Sequence, residues 1–339
     1  MLPMHLTQQL SPAYESVVPN THLPGLDQKR ETAGLLVSVG FVCLAAVRDV
    51  YLGGLFQRVN PLLIVVVAFT LCTVLFLPAA LVGSRAGLML LRRRPIDLLW
   101  VNVISASAWL AFMYALKLIE PSIVQIIYSG IGPLSVIWIE NKFLRANRGT
   151  RLTRSERLAY LLLLATLVFA AVVVLAGLSG VAHQSFGTAA FGVIVAAGGG
   201  ISISGVTMLC RRLNDAGVTP SALLSLRFPA TAITAATFMS LSPSGLPVGF
   251  SWIDALLVIA VLLIVAASYV NQVAISLASP LTVRVILALG PVLIFFFQMI
   301  EGRLLASPYS LIAGILYGFA AVFAAIARQR AIRAATSVT

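Results

Sequence analysis

Residues 115–140 read ALKLIEPSIVQIIYSGIGPLSVIWIE, and residues 274–301 read AISLASPLTVRVILALGPVLIFFFQMIE. In both stretches a short polar corner is followed by a proline, an apolar segment and a Gly-Pro pair: Pro121 then Gly132-Pro133, and Pro280 then Gly290-Pro291. Proline lacks an amide hydrogen and clashes with the carbonyl four residues before it, so each pair predicts a break in a helix. The second stretch is interpreted as a copy of the first.

The same register extends beyond these two stretches. An offset of 159 residues relates three further pairs of equal residues, Pro61 with Pro220, Phe69 with Phe228 and Ala115 with Ala274. The Gly-Pro pairs are 158 residues apart, which one deletion explains. The sequence therefore predicts an internal duplication.

Composition identifies the class of protein. The chain has 339 residues, 60% hydrophobic and 10% charged, with a mean hydropathy of +1.00, which is typical of a polytopic membrane protein. The net charge of +12 comes from basic residues between apolar stretches, without a soluble module for nucleic acid. The three cysteines lie in apolar runs and imply no disulfide framework.

Ten apolar stretches are long enough to cross a hydrocarbon core of about 30 Å. They are predicted at 33–56, 61–83, 96–118, 121–140, 157–179, 188–210, 219–241, 251–278, 280–300 and 308–327. The predicted fold class is an all-α membrane protein with two five-helix repeats, at 33–179 and 188–327. A disordered cytoplasmic tail is predicted at 1–32, and a basic cytoplasmic tail at 328–339.

Charge distribution predicts the orientation. With the N-terminus inside, most lysines and arginines near helix ends lie on the cytoplasmic side, so both termini are predicted to be cytoplasmic in the inner (plasma) membrane. Five helices is an odd number, so the second repeat enters the membrane inverted. Two inverted repeats related by an axis in the membrane plane are typical of transporters, and interrupted helices in matching halves indicate the binding site.

Three arginines, Arg48, Arg227 and Arg284, fall inside predicted spans, and Arg48 is considered below with Asp49. Arg227 lies about 12 Å along the seventh span, where a charge needs protein or water around it; Thr231 is one turn further on. It is either a structural arginine that binds freed helix carbonyls or a cationic wall for an anionic or zwitterionic substrate. Arg284 lies one turn past Pro280 and either snorkels to the cytoplasmic face or marks an entrance above the break.

Three polar stripes are predicted, each on one face of a helix: Asn102, Ser105 and Trp109 on the third span, Gln125, Tyr128, Ser129 and Gly132 on the fourth, and Ser268, Asn271 and Gln272 on the eighth. Such stripes form either interhelical hydrogen bonds or a shared cavity. The predicted substrate cavity comprises Trp109, Gln125, Tyr128, Ser129, Gly132, Pro133, Arg227, Thr231, Asn271, Gln272, Arg284, Gly290 and Pro291.

Asp49 is the acid placed most clearly inside a span, about 24 Å along the first helix. Either Arg48 and Asp49 are end charges that snorkel to the outer headgroups, or Asp49 faces the cavity and exchanges a proton for substrate. Other acids, Glu120 among them, are expected to be solvated at helix ends. No spacing suggests a metal site, a catalytic dyad or a phosphate-binding glycine loop, so no enzymatic activity and no cofactor are predicted.

The chain resembles the drug/metabolite transporter superfamily, in its ten-helix EamA-type form, over residues 34 to 327. The resemblance rests on four segments: Ala115-Leu116 with Pro121 and Pro133, Ala274 with Pro280 and Pro291, Pro220 with Arg227-Phe228, and Glu301 with Arg303-Leu304.

This resemblance implies a secondary active carrier that works by alternating access and exports small amphipathic or zwitterionic metabolites, amino-acid-like or drug-like. The expected partners are the small-molecule substrate and the lipid bilayer, with the chain a monomer or homodimer. Two alternatives stay open: a facilitative exchanger of organic anions, and a membrane-embedded enzyme.

Overall fold

The computed structural model describes residues 24–143, 153–181, 185–241, 252–277 and 280–336. This part of the chain contains thirteen helices and no strand. The helices are α1 (Pro24–Leu55), α2 (Pro61–Gly83), α3 (Arg85–Arg92), α4 (Pro95–Leu118), α5 (Pro121–Phe143), α6 (Arg154–Leu175), α7 (Phe186–Asp215), α8 (Pro220–Arg227), α9 (Pro229–Ser240), α10 (Trp252–Leu277), α11 (Pro280–Leu287), α12 (Gly290–Glu301) and α13 (Pro308–Thr336).

Helix starts follow local chemistry. Many of the helices begin at a proline, whose missing N–H is not needed in the first turn. Side chains of Asn60, Ser185 and Thr219 accept hydrogen bonds from backbone N–H groups at the starts of α2, α7 and α8. Thr153 and Glu156 form a reciprocal capping box at α6. The helix boundaries are therefore largely set by short-range sequence signals.

Eight helical segments of the described chain are long and apolar enough to cross a membrane. Their surfaces carry exposed large apolar side chains, among them Val82 and Ile300, which are 87% and 80% exposed. A water-soluble monomer rarely exposes contiguous apolar surface on this scale. The protein is an all-α, multi-pass membrane protein.

Several predicted boundaries differ from the structure. Helix α1 begins at Pro24, earlier than the predicted start at 33, and α13 continues through the predicted basic tail to Thr336. Residues 1–23 of the predicted N-terminal tail lie outside the described residues. An additional short helix, α3, connects α2 to α4. Helices can extend past the apolar run because the backbone hydrogen-bond ladder does not require apolar side chains.

The breaks are distributed differently from the prediction. The predicted break at Gly290-Pro291 is present, since α11 ends at Leu287 and α12 begins at Gly290. The break predicted at Gly132-Pro133 is wrong, because α5 runs through Pro133 without interruption. A further break, not predicted, separates α8 from α9 at Arg227–Pro229, where Pro229 cannot donate to the carbonyl four residues before it.

The main helix contacts come in pairs. Helix α1 packs on α10 and α4 packs on α7; α5 contacts α7 and α12, and α1 also contacts α12. Helices α8 and α9 pack on α2, and α6 packs on α13. The largest group of buried apolar side chains lies between α2, α4 and α5, with contributions from α8 to α10 and from α13. The polar residues described below are in or beside this core.

Candidate functional site

The break between α8 and α9 is bridged by one side chain of α4. Asn102 donates from Nδ2 to the carbonyl of Leu226 at 2.7 Å and accepts at Oδ1 from the N–H of Ala230 at 3.2 Å. In an uninterrupted helix these two backbone groups would bond to each other. The Asn102 amide therefore satisfies both groups that the break releases, which an apolar environment otherwise makes costly.

Arg227 is the last residue of α8 and lies at this break. Its side chain is buried, and its Nε donates to Ser105 Oγ of α4 at 3.0 Å. The guanidinium carbon lies 5.0 Å from the centre of the Phe228 ring, a distance suited to a cation–π contact. None of the described carboxylates forms an ion pair with Arg227. The site thus holds a buried positive charge with spare donors.

Five aromatic side chains form a continuous aromatic layer through the core. Phe69 contacts Trp109 at 5.0 Å and Phe228 at 4.5 Å between ring centroids, and Phe112 contacts Trp109 at 6.0 Å and Tyr128 at 4.7 Å. The five come from α2, α4, α5 and the α8–α9 connection. These contacts join helices that are distant in sequence into one layer.

Arg48 and Asp49 adjoin the aromatic layer at Trp109 and Phe112. Arg48 donates to Asp49 Oδ1 from Nε at 2.7 Å, and its NH2 nitrogen lies 2.6 Å from the same oxygen. The guanidinium carbon is 5.4 Å from the Trp109 ring centre and 5.6 Å from that of Phe112. Both side chains are buried, so they do not snorkel outward as end charges. Arg48 is the partner of Asp49 although they are neighbours on one helix.

The two charged groups adjoin the aromatic layer at different rings. Arg227 lies about 10 Å along α8 from Pro220, and Arg48 lies about 10 Å before the end of α1 at Leu55. Arg227 contacts Phe228, whereas Arg48 contacts Trp109 and Phe112. Tyr128 lies within electrostatic range of all three charged residues.

Several buried polar atoms have no hydrogen-bond partner within the described part of the chain. Besides the side-chain amide of Asn214, they are Asp49 Oδ2, Trp109 Nε1, Thr231 Oγ1, Ser268 Oγ and both amide atoms of Gln272. Buried polar groups are nearly always paired, so such an accumulation needs an explanation. Ser268 and Gln272 are four residues apart and share one face of α10. A polar ligand that reaches this region has donors and acceptors available to it.

The residues of the polar stripe on the fourth predicted span, now α5, face two different neighbours. The Gln125 side chain borders the break in the ninth span, since a Cβ placed on Gly290 would lie 3.7 Å from its Nε2. Gly132 instead faces Ser204 of α7, and the ring of Tyr128 packs against Gly199. The Gly132 carbonyl accepts from Ser135 Oγ at 2.8 Å. Only part of this predicted stripe therefore lies near the broken helices.

The structure brings together Trp109, Tyr128, Arg227 and Asp49 in and around the aromatic layer. Thr231 and Gln272 are fully buried, Asn271 and Ser129 are half-buried, and Gly290 and Pro291 are buried at their break. The Arg284 side chain lies outside the described side chains. The predicted site did not include Phe69, Phe112 and Phe228, although Phe69 and Phe228 occupy equivalent positions in the two repeats. Pro229, two residues after Arg227, was the available signal for the second break.

Two surface grooves are lined almost entirely by apolar side chains. One, of about 280 Å³, lies between α4, α7 and α9 and includes Leu110, Phe191 and Phe238. The other, of about 350 Å³, lies between α1 and α10 and includes Gly40 and Tyr269. Neither is lined by the charged residues. In the described part of the chain, no three His, Cys, Asp or Glu side chains are grouped as metal ligands would be.

Comparisons with known proteins bear on the fold. No protein-family model matches the sequence, and no curated protein matches it. A solved structure described only as "Crystal structure of protein" is similar, with a TM-score of 0.60 and 22% sequence identity. The match covers 88% of this chain and 99% of the other. The helical arrangement is thus shared with a protein of known structure, and the class defined here is a multi-pass α-helical membrane protein with a charged, aromatic core.

Proposed function

We propose that this protein is a secondary active transporter of the drug/metabolite transporter superfamily, of the ten-helix EamA type. It exports small amphipathic or zwitterionic metabolites across the inner (plasma) membrane by alternating access. The single observation that carries the proposal is that two buried charged groups, Arg227 and the Arg48–Asp49 pair, adjoin different rings of the aromatic layer. Charged side chains inside a membrane protein are costly, and they usually mark a substrate or ion pathway.

Helix packing supports two interchangeable halves. In this proposal the duplication pairs α1 with α7, α2 with α8–α9, α4 with α10, α5 with α11–α12, and α6 with α13. Exchanging the two halves then turns the α1–α10 contact into the α4–α7 contact. The α2 contact with α8–α9 and the α6 contact with α13 map onto themselves. Phe69 and Phe228, at equivalent positions, touch each other at 4.5 Å, as residues beside a two-fold axis would.

These halves contain ten spans in the proposed topology. Eight are the apolar segments described above, and α5 and α11–α12 supply the other two. Basic residues then lie mostly on the cytoplasmic side with both termini, and the second half enters inverted. In this arrangement inward-open and outward-open states arise when the two halves exchange conformations.

The hydrogen-bond donors and acceptors that remain available in the core define the class of substrate. Arg227 suits a carboxylate, because its planar guanidinium can donate two parallel hydrogen bonds. The free Oδ2 of Asp49 can accept from an ammonium group, and the aromatic layer can contact an apolar body. A zwitterion with an apolar side chain matches all three. The substrate would bind between the halves once the aromatic layer separates, with Gly290 and Pro291 along its path.

Asp49 is the proposed proton-coupling residue. Its carboxylate is buried, has one oxygen without a hydrogen-bond partner among the described residues, and pairs with Arg48 beside Trp109 and Phe112. Proton binding would weaken the ion pair, and substrate binding would compete for the same carboxylate. One proton entering in exchange for one substrate leaving follows from that competition.

The experiment uses the full chain in proteoliposomes with a panel of zwitterionic metabolites and an internal pH dye. We expect substrate-driven proton movement in the wild type, and in Asp49→Asn we expect loss of that movement while substrate counterflow survives. Glu301→Gln, which neutralises a more exposed carboxylate at the α12 corner, is the matched control and should retain coupling. Accumulation against a gradient in Asp49→Asn would exclude Asp49 as the coupling site.

A facilitative exchanger of organic anions is the second candidate. Its support is the charge around the aromatic layer, where two arginines, Arg48 and Arg227, accompany one carboxylate, that of Asp49. In that case counterflow would be restricted to anions and no proton would move in the wild type. The same proteoliposome measurement separates the two functions.

A further inference from the structure

Glu120, between α4 and α5, is a buried carboxylate that forms no ion pair with any described residue. It is 1% exposed. Its Oε1 accepts from Ser122 Oγ at 2.6 Å and Gln298 Nε2 at 2.9 Å. Its Oε2 accepts from the Gly180 N–H at 2.8 Å and Ser310 Oγ at 2.6 Å. These five residues are called the Glu120 cluster below. The prediction that Glu120 is solvated at a helix end is wrong, because three other segments cover it.

The Glu120 cluster joins the two halves at one end of the protein. Ser122 starts α5, Gly180 follows α6, Gln298 is near the end of α12, and Ser310 starts α13. Beside it, the N–H of Leu305 donates to the Gly180 carbonyl at 3.2 Å, and Ser307 Oγ donates to the Leu178 carbonyl at 2.6 Å. In the proposed topology this end is the outer side. An outward-open state has to separate these segments.

The hydrogen bonds match an ionised carboxylate and leave no place for a proton. An ionised carboxylate offers about four acceptor positions, and all four are occupied here. Gly180 contributes a backbone N–H, which can only donate. The orientation of the Gln298 amide is fixed, since its Oε1 accepts from the Ser122 N–H at 2.8 Å, so its Nε2 must donate to Glu120. A protonated Glu120 would lose at least one donor, and only the two hydroxyl groups could turn to accept.

We propose that the carboxylate of Glu120 is the group that holds the outer side closed. Its hydrogen bonds attach α12, α13 and the segment after α6 to the start of α5, so the outer side opens only when these bonds break. This inference rests on the proposed transport function, because it assigns the closed end to the outer side. It places a second acid, distinct from Asp49, in the transport cycle.

The charged and titratable groups on the surrounding segments are Lys117 on α4, Glu301 on α12, Arg303 at the corner that follows, and Tyr309 on α13. Arg303 pairs with Glu301, its Nε lying 3.2 Å from Glu301 Oε1. None of the four forms a hydrogen bond or ion pair with Glu120. His183 lies outside the described residues. The attachment at this end is therefore assigned to the hydrogen bonds of Glu120 and not to an ion pair.

The test measures access to a buried position from the outer side. A cysteine is placed at Ile123, which is fully buried in the first turn of α5, in a chain whose three native cysteines are replaced. The protein is reconstituted in vesicles, and the rate of reaction with a membrane-impermeant thiol reagent is compared between variants at one pH. We expect a slow reaction in the chain that retains Glu120.

In Glu120→Gln the reaction should be about tenfold faster, since closure loses a hydrogen bond to a charged group, whereas Glu301→Gln should react at the rate of the parent chain. Ser310→Ala keeps the carboxylate and removes one donor, so it should also react faster. If Glu120→Gln does not fold, the Ser310→Ala variant decides. An unchanged rate in Ser310→Ala, or in a folded Glu120→Gln, would overturn the proposal. This measurement of accessibility needs no substrate. If transport fails in proteoliposomes but the accessibility results are as expected, the proposed function is contradicted and the role of Glu120 is not.

Discussion

The two halves of the chain have matching sequences at their prolines, but only the second half contains broken helices. In the first half α2 and α5 are continuous, and in the second half the corresponding segments are divided into α8–α9 and α11–α12. A duplicated sequence has therefore produced one half with continuous core helices and one with two breaks. The break between α8 and α9 releases two backbone groups next to the buried Arg227, and the Asn102 amide satisfies both of them.

The difference at the seventh span follows from its sequence. Arg227, Phe228 and Pro229 occupy the positions equivalent to Ala68, Phe69 and Thr70 in α2 at the offset of 159. The first half lacks both the proline and the arginine, and α2 stays continuous. The position equivalent to Asn102 is Val261, a buried apolar residue. A bridging amide is thus present only where a break has to be satisfied.

The difference at the Gly-Pro pairs follows from packing. Near Pro133, α5 lies directly on α7, where a Cβ on Gly200 would lie 2.4 Å from the Tyr128 carbonyl and 2.3 Å from the Ile131 side chain. Near Pro291, the break lies on two glycines of α13: a Cβ on Gly318 would lie 3.6 Å from the Ala288 carbonyl, and one on Gly314 would lie 3.5 Å from Val292. We infer that the close contact with α7 keeps α5 helical despite its proline.

The largest effect on transport is expected when Arg227 is replaced, the arginine at the break between α8 and α9 that has no equivalent in the first half. Arg227→Ala removes a buried charge and its bond to Ser105, so transport should fall about 100-fold, equivalent to about 2.7 kcal/mol. Arg227→Lys keeps the charge but loses the planar fork, and should fold and transport weakly. Arg92→Ala, at an exposed position of α3, is the control and should be neutral. Normal transport by Arg227→Ala would remove Arg227 from the site.

The bridging amide should matter for stability. Asn102→Ala leaves the Leu226 carbonyl and the Ala230 N–H without partners, at a cost of about 1–3 kcal/mol for each buried group. The free energy of unfolding, measured by denaturant titration in micelles, should fall by at least the cost of one unpaired buried group. Asn271→Ala, at a half-buried position of the continuous α10, should cost about 0.5 kcal/mol or less. Equal losses would mean that the break does not depend on Asn102.

A pair of proline substitutions compares the two Gly-Pro sites directly. Pro291→Ala restores an N–H for the Leu287 carbonyl, favours a continuous ninth span and should slow transport about tenfold, equivalent to about 1.4 kcal/mol. Pro133→Ala adds the same N–H to a helix that is already continuous, so transport should change by about twofold or less. Similar effects at the two sites would show that the break itself has no role in transport.

The smallest expected effect concerns the contact that keeps α5 continuous. Gly200→Ala would place a methyl group against the Tyr128 backbone, and overpacking should lower the free energy of unfolding by about 1 kcal/mol or more. Gly198→Ala, where nothing lies within 4 Å of the added carbon, should instead be stabilising by about 0.5–1 kcal/mol through helix propensity. If both variants are stabilised, the close α5–α7 contact does not constrain α5.

Local sequence signals predicted most of the helical framework. Proline and helix length act over a few residues, and for this reason the start of α2 at Pro61 and the break at Pro291 were predicted correctly. The depth of Arg227 also followed from counting along one helix. The same rules failed at Pro133, because the neighbouring α7 contacts the α5 backbone there. They missed the break at Pro229 although its signal was in the sequence.

The arrangement of the charged residues depends on contacts between distant parts of the chain. Glu120 and Gln298 are 178 positions apart, and Asn102 bonds to the carbonyl of Leu226 124 positions away. Whether a polar side chain is solvated or buried is determined by the segments that cover it, and residue type and position along one helix do not specify those segments. Composition and proline placement were enough to predict an all-α membrane protein with a duplicated proline pattern. The burial of Arg48, Asp49 and Glu120 arose only when the helices packed, because the free energy of a buried charge depends on partners that packing brings within hydrogen-bond distance.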